Sequence, residues 1–311
     1  MGKTVITKKS NVVVRSATDD PKCAIISTSD RNAFRTCRRK WNWSSHLRFG
    51  YRPHEQAKPL WFGSGWHHWL EDFHGVRAYA TKDAPHGIGA LDDYAQATRR
   101  HHGIDNLPET FADDVELMKA MARHYTGGWL AKRDVLKTFV VGGEPQVEVP
   151  FEFEIPLPKE VLKRSSKYKR AVYKGVIDRV VVDSDGYLWL VDYKSVASFT
   201  NSDHLELDSQ IGTYLWAAHY IYRRPVLGFI YMQFKKKAPT APKVLASGKL
   251  SADKGQATTH ALYRAKAVEM YGSESRTWPS EIVETVNYLA GQEMEEEDNF
   301  IRRTRVTRAP A

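Results

Sequence analysis

Cysteine is almost absent from this chain: its 311 residues hold only Cys23 and Cys37. Two thiols build neither the disulfide framework of a small secreted domain nor a four-thiolate metal site, so a reducing compartment is expected. Long apolar runs are missing too. No 18 consecutive apolar residues occur, and the opening MGKTVITKKSNVVV lacks the apolar core of about 7–15 residues that a signal peptide carries. The expected location is cytoplasmic, away from membranes. Acidic residues are in deficit, with 37 Asp and Glu against 46 Lys and Arg and a net charge of +9. That balance favours a polyanionic partner, nucleic acid being the commonest, with a merely basic enzyme as the alternative. The phosphate-binding string G-x-x-x-x-G-K-[ST] is also absent, so neither a motor nor a nucleotide cofactor is expected.

What is present suffices for a packed core: 42% of residues are hydrophobic and 12% aromatic. Residues 1–26 show no helical period and read as a flexible or edge segment. A helix follows, capped at Ser29 or Asp30, with Phe34, Cys37 and Trp41 on its core stripe. Between Arg31 and Arg52 the sequence has seven Lys or Arg and no Asp or Glu, interleaved with Trp41, Trp43, Phe49 and Tyr51. Arg31, Arg35, Arg38, Arg39 and Lys40 are the expected phosphate contacts, and Trp43 is either a stacking surface or a core residue. Next, WFGSGWHHWLEDFH places Gly63 and Gly65 at a turn before a helix on which His67, Glu71 and His74 share a face. Residues 83–110 read as a loop, and 111–134 as a further helix.

From residue 145 the period changes to two. QVEVPFEFE alternates as a half-buried strand, AVYKGVIDRVVV and YLWLVDYK form two more, HLELDSQIGTYLWAAHYIY is a helix, and VLGFIYMQF is a last strand entering Lys235, Lys236 and Lys237. Those three lysines are further expected nucleic-acid contacts. Helices are expected over 254–271 and 280–297, followed by a basic tail carrying Arg302, Arg303, Arg305 and Arg308.

The hairpin between the second and third of these strands decides the chemistry. A three-residue loop Ser184-Asp185-Gly186, with Gly in the left-handed position, pairs Asp183 with Tyr187 and so sets Asp178 opposite Asp192. A two-residue loop would put the carboxylates on opposite faces, and the first register is the one expected. Strand alternation then turns Lys194 to the same face, above Val176, Val180, Val182, Leu188 and Leu190. Two carboxylates on an apolar floor repel unless a cation lies between them, and hard oxygen donors at this spacing suit Mg²⁺ or Mn²⁺.

The stretches 29–43, FGSGWHHWLE, GVIDRV, LVDYKS and QIGTY, in this order, resemble the RecB-like branch of the PD-(D/E)XK nuclease superfamily, which includes phage recombination exonucleases and CRISPR-adaptation nucleases. The resemblance implies an α/β fold with a restriction-endonuclease-like αβββαβ core: a mixed central sheet flanked by helices, with helical N- and C-terminal elaborations. It implies one nuclease domain over 27–311, divided into a mainly helical part at 27–140, a catalytic core at 145–235, and a helical part with a basic tail at 236–311. It further implies that Asp178, Asp192, the Tyr193 carbonyl and His67 are metal ligands. Lys194 would position the attacking water or stabilise the scissile phosphate, and Gln210 and Tyr214 would contact substrate or organise the site.

Glu148 falls where the branch often has a further metal contact, and an ordinary solvated glutamate fits equally well. A zinc site on His67, Glu71 and His74 is the weaker reading of that helix, since H-E-x-x-H is absent. Relatives of the CRISPR-adaptation kind hold an iron–sulfur cluster, but no cysteine follows Cys37, so none is expected here. The implied activity is Mg²⁺- or Mn²⁺-dependent DNA hydrolysis, from an end, in recombination, repair or spacer processing within a bacterial or phage-infected cell. Partners would be single- or double-stranded DNA ends, a single-strand annealing or recombination protein, and further copies of the chain. The alternatives are an inactive end-recognition subunit on the same scaffold and an RNA-processing enzyme.

Overall fold

The computed structural model describes residues 20–51, 58–77, 87–103, 107–130, 136–164, 167–201, 205, 208–292 and 297–307. In chain order the elements begin with β1 (Cys23–Ser27), α1 (Thr28–Thr36), α2 (Arg38–Ser44), α3 (Lys58–Arg77), α4 (Gly89–His102) and α5 (Phe111–Arg123), the last continuing into a π-helical turn His124–Leu130. There follow β2 (Lys137–Thr138), β3 (Val140–Val141), β4 (Glu144–Pro145), β5 (Val147–Ile155), α6 (Lys159–Arg164), β6 (Arg170–Val182) and β7 (Leu188–Val196). The remainder comprises α7 (Ser209–Tyr222), β8 (Val226–Lys235), α8 (His260–Tyr271), α9 (Ser280–Gln292) and β9 (Ile301–Thr307). No helix of the described residues is long and apolar enough to cross a membrane.

The described residues of Met1–Gln56, Glu148–Ile177 and Asp208–Arg224 form one compact unit. In it β1 runs parallel to the first part of β6, from Cys23 beside Arg170 to Ser27 beside Lys174. The cap of α1 is Ser27, whose Oγ accepts from Asp30 N, two residues before the cap expected from sequence. The helix expected through 43 breaks at Cys37, where the backbone turns extended and the thiol caps α2 by accepting from Lys40 N at 3.4 Å. Cys37 is therefore exposed rather than on a core stripe, and Phe34 is exposed with it. A thiol that accepts from a helix N-terminus serves as a weak cap, which the apolar spacing concealed. Asp208 caps α7 with bonds from Gln210 N and Ile211 N.

The described residues of Ala57–Val147, Asp178–Leu207 and Pro225–Ala311 form the second unit. Here β6 pairs antiparallel with β7, β7 parallel with β8, and β8 antiparallel with β9, while β2 pairs with the end of β6. The fold is thus the expected α/β class, with a mixed sheet flanked by helices. Trp66, Trp69 and Phe73 of α3 pack with Met118 of α5, Tyr125 and Trp129 of the π turn, and Val181, Val191 and Phe234 of the sheet. Leu250, Tyr263, Trp278, Ile282 and Leu289 build a separate cluster around α8 and α9.

Three expectations for this unit are corrected. Gly63 and Gly65 lie inside α3 rather than at a turn before it. Helical glycine costs about 1 kcal/mol relative to alanine, but a Cβ on Gly65 would sit 2.7 Å from the Tyr94 ring, so close packing of α3 on α4 overrides propensity. Residues 89–102, expected as loop, are helical because Leu91, Tyr94, Ala95 and Thr98 form a stripe at i, i+3, i+4 and i+7. The expected basic tail forms β9, which covers the edge of β8 along seven residues. Arg308 lies outside the described residues, as do 1–19 and 293–296.

The β8–β9 pairing sets a stability prediction. A Cβ on Gly228 would lie 2.2 Å from the Val306 carbonyl and 2.8 Å from the Trp189 ring. Gly228→Ala is expected to cost about 3 kcal/mol and lower the melting temperature by about 5–10 °C. Gly89→Ala, where a Cβ meets nothing within 4 Å, is expected to leave it unchanged. Thermal unfolding of the two variants beside the parent checks both.

Candidate active site

The hairpin turn positions the site. Gly186 takes φ +83°, its N–H reaches the Asp183 carbonyl at 3.2 Å, and Asp183 N–H reaches the Tyr187 carbonyl at 3.1 Å. Asp183 Oδ1 accepts from Asp185 and Tyr187 N–H, and Oδ2 from the Trp189 indole at 2.8 Å, which locks the loop. The three-residue register follows, with Arg179 opposite Val191 and Val180 opposite Leu190. Continued one step beyond these pairs, that register sets Asp178 toward Asp192, in the sense the turn chemistry predicts.

Asp178 Oδ2 accepts from the Tyr193 backbone N–H at 2.8 Å. His67, carried on α3, brings Nδ1 to 3.6 Å from the same oxygen and Nε2 to 2.9 Å from the Tyr193 carbonyl. The aromatic ridge of Trp66, Trp69 and Phe73 anchors α3, and a Cβ on Gly63 would lie 3.9 Å from Ser195 Oγ of β7. Asp192 is buried, and its Oδ2 lies 2.6 Å from the Lys194 ammonium. Val180 and Leu190, both fully buried, form the expected floor, whereas Val176 is exposed.

The charges are out of balance in a revealing way. Burial first, and then the Asp192 carboxylate, raise the Asp178 carboxyl to about 7, against the lowering effects of His67, Lys194 and the Tyr193 N–H. At Lys194, desolvation works against the ammonium, but the Asp192 and Asp178 carboxylates outweigh it and hold its pKa above the ordinary lysine value. Lys194 is therefore a fixed positive charge at neutral pH, while Asp178 is poised between two protonation states.

The sequence model of the PD-(D/E)XK nuclease superfamily matches residues 25–297. The chain belongs to that superfamily. No curated protein shows significant similarity to it. Membership makes it a nuclease by family, a class that binds nucleic acid and uses divalent metal ions.

The site of this PD-(D/E)XK chain fits such an ion. Asp192 Oδ2 is buried, and its partner is the Lys194 ammonium at 2.6 Å. His67 Nε2 and the Tyr193 oxygen lie 2.9 Å apart, about the spacing of adjacent donors around an ion with bonds of about 2.1 Å. His67 and Asp178 offer ligand atoms within 4.8 Å of one another. The repulsion that raises Asp178 is what a cation would relieve.

The zinc reading of α3 is corrected: among the described residues no group of potential metal ligands includes Glu71 or His74. His74 lies in the core, with Nε2 3.1 Å from Tyr125 Oη and its ring stacked on Tyr193. Sequence reading missed its neighbour Arg179. This buried guanidinium donates to Tyr193 Oη at 3.3 Å and Thr138 Oγ1 at 3.0 Å, steadying the tyrosine whose backbone meets Asp178 and His67. The signal was legible, since an arginine between Ile177 and Val181 on an apolar face needs partners there.

The other expected residues sort by unit. Lys235 and Lys236, in the second unit, rest over the Phe199 and Phe62 rings at 4.0 and 4.8 Å, and Lys237 is exposed. In the first unit, Tyr214 is buried against Phe151, and Gln210 stands one turn before it on α7. Glu148 opens that unit's second segment with a left-handed backbone, φ 44°, which breaks the expected strand alternation there. Arg31 ties α1 to α7 through Ser209 and Thr213 rather than standing free, and Arg35 reaches Ser209 at 3.4 Å. Arg38, Arg39, Lys40 and Trp43 are exposed.

Proposed function

We propose that this chain is a DNA exonuclease of the RecB-like kind, working with Mg²⁺ or Mn²⁺ in recombination, repair or spacer processing in the cytoplasm of a bacterial or phage-infected cell. The observation that carries the reading is the hairpin register, which gathers Asp178, Asp192 and Lys194 on one face beside His67. In this proposal Asp178, Asp192, His67 and the Tyr193 carbonyl hold the metal. Glu148, the further metal contact that the resemblance offers, belongs to the same proposal. A bound divalent ion acidifies a water and takes up charge on the scissile phosphate.

The chain's own groups supply the rest. Lys194, protonated throughout the neutral range, donates to the developing phosphorane oxygens or to the attacking water and does not act as a base. Burial of Asp192 keeps bulk water from screening that charge. Gln210 and Tyr214 organise substrate, and Arg38, Arg39, Lys40, Lys237 and their neighbours take the flanking phosphates. The reading of 27–311 as one nuclease domain belongs to the same proposal, as do a single-strand annealing or recombination protein and further copies of the chain as partners.

End-labelled linear DNA, closed circular DNA and linear RNA, incubated side by side with Mg²⁺ or Mn²⁺, test the reading. Loss of the linear DNA alone is expected. Nicking of the circle at a comparable rate would replace exonuclease with endonuclease, and preference for RNA would overturn the substrate.

A further inference from the structure

The first unit exposes aromatic surface that its own packing does not use. Phe49 and Tyr51 are 60% and 64% exposed, yet their rings stack on each other at 5.5 Å and 13°. Trp43, 48% exposed, lies under the Arg39 guanidinium at 5.1 Å. These rings do not sit on a loose loop. Tyr51 N–H reaches the Trp43 carbonyl at 2.8 Å, Phe49 N–H the Asn42 carbonyl at 3.3 Å, and Gly50 N–H the Ser45 carbonyl at 3.0 Å, with Gly50 at φ +69° closing the turn. Ser45 Oγ is anchored in turn on Asp30 Oδ1 at 2.7 Å. Arg48 is held on Asn42 Oδ1 at 2.8 Å with its guanidinium over Trp41.

Two features define what such a surface binds. The stretch from Arg31 to Arg52 that builds it carries no acidic residue, and the Asp30 carboxylate that anchors Ser45 is mostly buried. Phe49 and Tyr51 are more than half exposed, so a flat π-system can extend their stack. Duplex DNA would meet the cations but has no free base face to offer, whereas an unpaired strand offers phosphates and bases together. An exposed apolar patch docking a protein would not need cations set over its rings.

We infer that Phe49, Tyr51 and Trp43, with Arg39 and Arg48, form a stacking platform for unpaired DNA. The inference rests on the nuclease reading for the kind of ligand and deepens it, assigning single-strand recognition to a surface that lies in a different unit from Asp178, Asp192 and Lys194.

The test uses the full chain in EDTA, where cleavage plays no part, with fluorescent (dT)20, a blunt 20-base-pair duplex and (rU)20. Tighter binding of (dT)20 than of the duplex is expected, with quenching of tryptophan fluorescence. The double variant Phe49→Ala/Tyr51→Ala is expected to weaken (dT)20 binding about 10- to 100-fold, a loss of the size that base stacking supplies, and duplex binding less than about 3-fold. Phe49→Tyr/Tyr51→Phe is expected to keep the (dT)20 affinity, which separates stacking from a folding effect. Equal losses on both DNAs, no loss on (dT)20, or tighter binding of (rU)20 would each overturn the inference. Cleavage of linear DNA by the parent chain in Mg²⁺ reports separately on the nuclease reading, so either can fail while the other stands.

Discussion

Lys194→Ala is expected to lower the cleavage rate by about 10²–10³-fold while leaving divalent-metal affinity nearly intact, whereas Asp192→Asn removes both. The difference follows from the geometry. Lys194 holds its ammonium 2.6 Å from the buried Asp192 oxygen and remains half accessible, so it presents charge to whatever enters the site. Removing it takes away a fixed positive charge but no metal donor. In the proposed site Asp192 is a metal donor, and its loss is expected to weaken metal binding by more than about 100-fold. A stability readout separates these losses from misfolding. Asp192→Asn relieves repulsion at Asp178 but removes the partner of Lys194, so the variant is expected to fold with a modestly altered melting temperature, which shows that its lost metal binding is not misfolding. Isothermal titration with Mn²⁺, single-turnover cleavage and thermal unfolding on the same preparations provide the three readouts. A Lys194→Ala chain that cuts at the parental rate would remove lysine from the site.

The second large effect is on pH. The Asp178 carboxyl is raised to about 7 from an ordinary 3.8, first by burial and then by Asp192. Between those values the folded chain holds a proton that the unfolded chain has released. Stability of the metal-free protein therefore falls as pH rises through this window, by up to about 1.4 kcal/mol per pH unit from this group, and levels off above about pH 7. In the proposed site the metal needs the carboxylate, so its affinity is expected to climb over the same interval, and cleavage at subsaturating metal with it. Thermal unfolding in EDTA at pH 5, 6, 7 and 8 should show the parent losing ground relative to Asp178→Asn, and saturating Mn²⁺ should reverse the trend. Parallel curves for the two proteins would show that Asp178 titrates in its ordinary range.

Much of this site could be read from the sequence because short-range rules determine it. A glycine at the third loop position fixes the turn, the turn fixes the register, and period-two alternation then places Asp178, Asp192 and Lys194 on one face. His67 needed more: its helix was legible, but its approach to the Tyr193 carbonyl depends on where the α3 tryptophans pack. The features missed were tertiary in origin. A strand of alternating arginines at Ile301–Thr307 reads as a tail until the open edge of β8 is known. The Gly65 position contradicts helix propensity until Tyr94 is seen against it. Cys37 matched an apolar stripe, whereas in the fold its sulfur caps the next helix. Phe49 and Tyr51 were visible only as composition, since their stacking and exposure depend on backbone bonds across the turn.

The most direct test of the metal-nuclease assignment is the cleavage of end-labelled linear DNA by this chain with Mg²⁺, with EDTA, and with Mn²⁺ restored after EDTA, beside Lys194→Ala. Degradation that stops with EDTA, returns with Mn²⁺ and is lost in the variant is the expected result. Retained DNA binding with no cleavage under any metal would contradict the assignment, leaving a scaffold that recognises DNA without cutting it.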